Sequence, residues 1–145
     1  MTPSAPIVLN GIARTILMEL APQVGSGYAG QTLQLTGALA MMLAQEFDRA
    51  AARLVEENGA LEALLGDALA IVGDASLAEV VRARSESLLV SALHERNRAL
   101  RAALVRVHAA VEAMGGDAAR ALESRIWSEL IESTRRRLLD MAMPS

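Results

Sequence analysis

Apolar positions recur at helical spacing along most of the chain, and the longest uninterrupted pattern lies over residues 76–114, which contain no proline or glycine. Ser76 and Glu79 have the spacing of a capping box, and Gly115-Gly116 marks a stop. Within the pattern, spacings of four and three alternate, as in a helix packed lengthwise against partners. These seam positions are Leu89, Leu93, Arg96, Leu100, Ala103, Val107, Ala110 and Met114. The pattern predicts one continuous helix over 76–114.

Similar patterns on both sides of this segment predict further helices. They are expected over about residues 7–20, 31–58, 60–72 and 117–140. Pro22 ends the first, and a glycine-rich link follows it. The helix over 31–58 is apolar nearly all round in its first half, so we expect burial on most sides, and Gly59 closes it. Asp117 is placed to cap the last helix.

The composition favours helices strongly. Hydrophobic residues make up 52% of the 145 positions but aromatic residues only 2%, so the core must be aliphatic. Alanine, leucine, methionine, glutamate and arginine are the best helix formers. We therefore expect an all-α single domain over 1–145, an antiparallel up-and-down bundle of four main helices plus a short extra helical segment.

The helix predicted over 76–114 is long for such a domain. It would extend about 58 Å at about 1.5 Å per residue, whereas a compact domain of this size has a radius of gyration of about 15 Å. Either this helix is kinked or it finds a partner. We favour a homodimer in which long helices, over 76–114 or 117–140, pair about a twofold axis.

Several classes of function are excluded or disfavoured by absent residue types. The chain has no lysine and no cysteine, which excludes Schiff-base, P-loop and thiol chemistry. Its net charge of −3 gives no sign of the basic surface that nucleic-acid binding requires. The apolar stretch from Leu33 to Ala44 is shorter than the roughly 20 residues of a membrane span, and the N-terminus has no signal-peptide pattern. We expect a cytoplasmic protein that binds neither nucleic acid nor membrane.

No motif predicts a cofactor, a metal or a catalytic residue. The segment GSGYAG, residues 25–30, matches the dinucleotide fingerprint G-x-G-x-x-G, but a helix precedes it instead of a strand, so a flexible link is expected. Amides ahead of the next helix could still hold an anion. The pair Glu129 and Glu132 has the E-x-x-E spacing of magnesium-binding pyrophosphatases, yet no second acidic pair follows. The run Arg135-Arg136-Arg137 is expected to be a solvated helix end, with Glu132 paired to Arg136.

The two histidines do not complete a known helical metal motif. Di-iron bundles use Glu-x-x-His, but Ser91 and Val105 stand three residues before His94 and His108. The two histidines are four turns apart, about 21 Å along a helix, so they cannot share an ion within one chain. We expect surface histidines; a metal site completed by another helix or chain is the alternative.

Arg96 is the most informative polar residue, because it occupies a seam position where an apolar residue is expected. Its charge is expected to reach solvent or to pair with an acid such as Glu46. It could instead set the register of an oligomer, or bind an anionic ligand. Met41 and Met42 are candidates to line a ligand pocket, and Trp127 is a candidate core or interface anchor.

The stretch from about Leu33 to Gly66 resembles small, uncharacterised bacterial all-helical proteins found beside aminoglycoside-phosphotransferase-like kinases. The resemblance consists of an apolar helix, an acid and a Leu-Leu-Gly step. It implies an accessory or binding protein and no catalytic residue.

The sequence leads us to expect a non-enzymatic interaction or assembly protein, homodimeric through long helices, with no cofactor. The alternative is a helical bundle that binds an anionic or apolar small molecule, or an enzyme of that architecture. Arg96, Met41, Met42 and Trp127 are its candidate ligand or interface residues.

Overall fold

The computed structural model describes residues 2–83 and 87–139, and these residues form helices and no strand. The all-α class is therefore confirmed. The elements are α1 (Ala5–Arg14), a π-helical segment (Thr15–Leu20), α2 (Ala21–Val24), α3 (Tyr28–Val72), α4 (Ala75–Arg82), α5 (Val90–Met114) and α6 (Asp117–Arg136). Within the described ranges, no helix combines the length and the apolar character that crossing a membrane requires.

Helix α3 runs through Gly59, which was expected to end it, and through Gly66, so the helices predicted over 31–58 and 60–72 are one. Gly59 and Gly66 keep helical backbone, and the helix ends at Gly73, where φ is +69°. A glycine inside a helix costs roughly 0.5–1 kcal/mol relative to alanine. Burial of a leucine contributes about 1.5–3 kcal/mol, and both Leu61 and Leu65 are buried. Packing therefore outweighs the local stop signals.

The continuous helix predicted over 76–114 is wrong, because α4 ends at Arg82 and α5 begins at Val90. Ala83 and Leu89 have extended backbone, and residues 84–86 lie outside the described part. The hydroxyl of Ser87 accepts a hydrogen bond from the N–H of Leu89 at 3.2 Å. Such local bonds compete with helical ones. With the helix divided, its length no longer argues for a partner.

The start of α4 is capped two residues earlier than expected, by Asp74 where Ser76 was predicted. Asp74 is the N-cap, and its Oδ1 accepts hydrogen bonds from the N–H and the hydroxyl of Ser76, at 2.9 and 2.8 Å. These bonds hold the pKa of Asp74 below its usual value. Asp117 was expected to cap α6, but it is the first residue of that helix, and Gly116 occupies the N-cap position.

The chain divides into two compact units, residues 2–50 with Leu139, and Ala51–Leu138. In the first unit, Ala13, Ala40 and Met41 form a small buried cluster with Leu17 packed against it. Helix α3 approaches the π-helical segment so closely that a Cβ on Gly37 would lie 2.5 Å from Cγ of Leu17. The single domain expected from chain length stays a prediction.

The first half of α3 is buried on one side only, contrary to the burial expected on most sides. Four large apolar residues spaced four apart are exposed: Leu35 by 62%, Leu39 by 49%, Leu43 by 57% and Phe47 by 63%. We call this set the α3 apolar face. The opposite side of the helix carries the buried Ala40, Met41 and Ala44.

The second unit has the larger core, which lies among the C-terminal part of α3, α4, α5 and α6. Its buried residues are Leu61, Leu64, Leu65, Ala68, Leu77, Leu100, Ala103, Leu104, Val107, Val111, Ala119, Leu122 and Ile126. The seam predicted on α5 therefore packs inside the chain from Leu93 to Val107, whereas Met114 at its end is exposed.

Candidate functional site

The most heavily hydrogen-bonded group in the second unit is the carboxylate of Glu57, which is fully buried. It accepts hydrogen bonds from α5 and from the C-terminal end of α6, both distant in sequence from α3. The donors are Arg137 Nε (3.0 Å) and Ser133 Oγ (3.2 Å) to Oε1, and Arg137 Nη2 (2.8 Å), Arg101 Nη2 (3.1 Å) and Asn97 Nδ2 (3.2 Å) to Oε2. Both oxygens are thus fully engaged.

Helix α3 places Glu57 in the core because the residue lies three positions after Leu54 and four before Leu61, both buried. Burial by itself would raise the pKa of Glu57, but hydrogen bonds and charges from Arg137 and Arg101 outweigh it and lower the pKa to about 2. Glu57 is therefore ionised at neutral pH and has no proton to donate. Its bonds to Arg101 and Arg137 link α3 to α5 and to the end of α6.

Two buried asparagines extend the network from Glu57 along α5. Asn97 Nδ2 also donates to Asn58 Oδ1 at 2.9 Å, and Asn58 Nδ2 donates to the carbonyl of Leu93 at 3.1 Å. Asn97 Oδ1 accepts from Arg101 Nε at 2.9 Å, and Arg101 Nη2 donates to Ser133 Oγ at 2.5 Å. Because the buried amide groups have partners, the network costs little desolvation energy and specifies one arrangement of the helices.

Above this network is a basic groove with a volume of about 510 Å³. Its lining residues are His94, Asn97, Arg98, Arg101, Ala102, Val105 and Arg137. The single negative charge of Glu57 neutralises one of the two positive charges of Arg101 and Arg137. Arg98 pairs with Glu95 at 2.6 Å, and the side chains of Arg98 and Glu95 are both largely exposed. The lining contains three guanidinium groups and no carboxylate, so its chemistry suits an anion.

Arg96 is buried at its predicted seam position, and its charge is paired within the chain. Its Nε and Nη2 donate to Oε1 of Glu62 at 2.9 and 2.8 Å, and its Nη1 donates to the carbonyl of Val80 at 2.7 Å. The acid is therefore Glu62, where Glu46 was the expected partner. Every guanidinium nitrogen of Arg96 already has an acceptor, so this residue links α5 to α3 and α4.

The other candidate residues are divided between the two units. Met41 is buried in the small cluster of the first unit and Met42 is partly buried beside it, while Arg96 belongs to the second unit. Trp127 is half exposed on α6, and its ring meets His108 edge to face, with centroids 5.4 Å apart. The structure places Trp127 at the rim of the core.

The motifs set aside from the sequence have structural roles. Within GSGYAG, Gly25 has φ of +79° and a Cβ on Gly30 would lie 1.7 Å from the carbonyl oxygen of Gly25, so both glycines are needed for a tight turn into α3. The paired acids at the end of α6 neutralise arginines: Glu129 binds Arg136 at 2.7 Å and Glu132 binds Arg135. The partner expected for Arg136 was Glu132. Arg137, expected in solvent, binds Glu57.

Sequence reasoning missed Glu57, and a signal for it was present. The apolar stripe of α3 includes Leu54, Leu61, Leu64 and Leu65, and position 57 falls on the same side of the helix. An acid within an apolar stripe indicates a buried carboxylate that needs a cationic partner. The identity of the partners, Arg101 and Arg137, depends on contacts between residues 44 and 80 positions apart.

Comparison with known proteins identifies no relative for this chain. No protein-family model, no curated protein and no solved structure matches it. Its function is therefore inferred from the geometry of its own residues.

Proposed function

We propose that this chain is a non-enzymatic interaction or assembly protein that forms a homodimer through its long helices. The observation that supports this proposal is the α3 apolar face, Leu35, Leu39, Leu43 and Phe47, which is about half to two-thirds exposed. The four residues follow one another at one-turn spacing, so they form a continuous apolar strip about three turns long.

An exposed strip of this kind is costly in water. Monomeric proteins rarely expose contiguous apolar patches larger than a few hundred Å², and full burial of each such side chain contributes about 1.5–3 kcal/mol. A second copy of the chain presents the same strip, so pairing two α3 helices about a twofold axis covers both faces at once. This surface replaces the one expected on residues 76–114, whose seam is occupied by the chain's own core.

Two buried ionisable groups of the second unit, Glu57 and Arg96, support a non-enzymatic role. Glu57 is ionised and saturated with donors, and Arg96 has an acceptor at each nitrogen. Both are parts of the scaffold. An accessory role is also what the sequence resemblance implies, since the stretch from Leu33 to Gly66 resembles helical proteins found beside kinases. The antiparallel up-and-down bundle and the cytoplasmic location remain predictions from the sequence.

Sedimentation equilibrium and native mass spectrometry of the full chain test the proposal. We expect a mass about twice the 15.4 kDa of one chain. Leu39→Glu and Leu43→Glu place charges on the apolar face and should convert the dimer to a monomer with unchanged helical circular dichroism. The matched control is Leu88→Glu, at a position 75% exposed outside the helices, which should stay dimeric. A wild-type monomer at micromolar concentrations would contradict the proposal.

The basic groove favours a second candidate function, binding of a small phosphate- or carboxylate-bearing anion. The anchors are Arg98, Arg101 and Arg137, since Arg96 is bound to Glu62 and Val80. Calorimetric titration of the full chain with inorganic pyrophosphate tests it. Arg98→Gln should weaken binding several-fold, whereas Arg106→Gln, an exposed position on the same helix outside the groove, should not. Absence of binding at millimolar pyrophosphate would eliminate this candidate.

A further inference from the structure

We propose that His108, Glu112 and Glu123 form a binding site for a divalent transition-metal ion. The three residues each offer one ligand atom, and these atoms all lie within 4.8 Å of one another. The site belongs to the second unit and shares no residue with the lining of the basic groove.

The fold brings the three side chains together at the end of the α5–α6 hairpin. His108 and Glu112 are four residues apart on α5, so they lie one above the other on one face of that helix. The chain then turns at Gly115 and Gly116, whose φ values are +64° and +90°, and α6 returns Glu123 to the same place. The i, i+4 pair is visible in the sequence, whereas the third ligand depends on how α6 packs on α5.

The imidazole of His108 gives a second, independent indication of a metal site. Its Nε2 is buried from solvent and has no hydrogen-bond partner among the described residues. The nearest carboxylate oxygen, Oε1 of Glu112, is 3.7 Å away, which is too far for a hydrogen bond. A buried nitrogen without a partner is costly. A metal ion bound to the Nε2 lone pair would remove this cost.

The types of ligand define the class of metal. One imidazole nitrogen and two carboxylate oxygens suit zinc, cobalt, nickel, iron or manganese, whereas magnesium and calcium prefer oxygen ligands alone. Two carboxylates and a neutral imidazole carry two negative charges, which balance a divalent cation. Three protein ligands leave at least one coordination position open to water.

Binding requires at most a small inward movement of the acids. Ligand bonds to zinc are about 2.0–2.2 Å long, so two ligand atoms of one ion are at most about 4.4 Å apart. The side chain of Glu112 is 60% exposed and free to rotate toward the ion, while that of His108 is 21% exposed. The ring of Trp127 packs against the imidazole with an interplanar angle of 87° and fixes its orientation.

Trp127 also provides a direct reporter, because it is the single tryptophan of the chain and touches a ligand. Titration of the full chain with Co²⁺ should quench its fluorescence saturably, and EDTA should restore it. Calorimetric titration with Zn²⁺ should give one ion per chain. His108→Ala should weaken Zn²⁺ binding by about 100-fold, since even the loss of a group that only orients a ligand costs about 10- to 100-fold. Glu123→Gln should weaken it by at least about tenfold.

The matched control is His94→Ala, which removes the other histidine of α5 four turns away and should leave Zn²⁺ affinity unchanged. Circular dichroism of each metal-free variant verifies that it is folded. Absence of Zn²⁺ binding by the wild type would overturn the proposal, as would equal loss in His94→Ala. If Glu123→Gln binds Zn²⁺ as tightly as the wild type, the ion is held on the surface of α5 alone and the site across the two helices is refuted.

Discussion

Arg137 binds the carboxylate of Glu57 through two hydrogen bonds, Nε to Oε1 at 3.0 Å and Nη2 to Oε2 at 2.8 Å. The two residues are 80 positions apart in sequence. The pair joins the residue that follows the end of α6 to the middle of α3, inside the second unit. Paired bonds from one guanidinium fix orientation as well as distance. The last turn of α6 is therefore held in place by a single buried acid.

Removing the charge of Glu57 should destabilise the protein considerably. Glu57→Gln leaves two guanidinium groups without their counter-ion and replaces one acceptor with a donor. We expect a loss of about 3 kcal/mol in the free energy of unfolding, as is typical when one partner of a buried ion pair is removed. Urea unfolding followed by circular dichroism measures this loss.

Glu56→Gln is the matched control for that measurement, since Glu56 precedes Glu57 and is exposed. A surface substitution of this kind should change the stability by less than about 0.5 kcal/mol. Equal effects of the two substitutions would contradict the central role of Glu57.

The stability should also depend on pH in a direction set by Glu57. The pKa of this group falls from its usual 4.5 to about 2 in the folded chain. Because the folded-state pKa is lowered, the unfolded chain binds the proton first as the pH drops. At about 1.4 kcal/mol per pKa unit, the lowered pKa of Glu57 contributes about 3 kcal/mol to the free energy of unfolding. This contribution is present above about pH 5 and is lost between about pH 5 and 2.

The urea midpoint measured from pH 7 to pH 3 tests this dependence. The difference in stability between the wild type and Glu57→Gln should shrink steadily below pH 5. A constant difference over that range would show that the ionised carboxylate of Glu57 is not what stabilises the fold.

The bonds of Arg96 predict a loss of stability without a change in assembly. Arg96→Leu removes three hydrogen bonds, one to the carbonyl of Val80 and two to the carboxylate of Glu62, so we expect a loss of about 1–3 kcal/mol. The oligomeric state should not change, because each nitrogen donates within the chain. Thermal unfolding and sedimentation equilibrium measure the two effects.

A control on the same helix separates the buried ion pair from an exposed one. Arg98 pairs with Glu95 and both side chains are exposed by more than two-thirds, so Arg98→Leu should cost at most about 1 kcal/mol. If Arg96→Leu dissociates the dimer while leaving the monomer stable, Arg96 has the register role considered from the sequence, and the prediction above is wrong.

The glycines of α3 should respond to alanine with opposite signs. A Cβ on Gly59 meets nothing within 4 Å, so Gly59→Ala should stabilise the protein by about 0.5–1 kcal/mol through helix propensity. A Cβ on Gly37 would lie 2.5 Å from Cγ of Leu17. Gly37→Ala should therefore lower the stability by about 1 kcal/mol or more through overpacking. Differential scanning calorimetry measures both shifts, and a destabilising Gly59→Ala would contradict the continuity of α3.

Local properties were predictable because they depend on residues close in sequence. The abundance of alanine and leucine and the near absence of aromatics indicated the all-α class. The period of the apolar positions located α6, the C-terminal end of α5 and the buried seam residues Leu93, Leu100 and Val107. The stop at Gly115-Gly116 is also where α5 ends.

The local signals were misleading wherever packing or a competing turn opposed them. Gly59 resembles a helix stop, but the leucines on either side of it are buried and extend the helix. The prediction of one continuous helix over 76–114 was wrong because the spacing of apolar residues shows only which side of a helix is apolar. Two helices can keep that spacing across the break that separates them, as α4 and α5 do. The turn at Ser87 and Leu89 leaves little trace in that period.

The sequence by itself determined that the chain is helical, which sides of its helices are apolar, and which chemistries it lacks. The tertiary structure decided which charges meet: Glu57 with Arg137, Arg96 with Glu62, and His108 with Glu112 and Glu123. The physical reason is that helix formation depends on neighbours within about four positions. A buried charge, in contrast, is stable only beside a partner that the folded chain brings to it from far along the sequence.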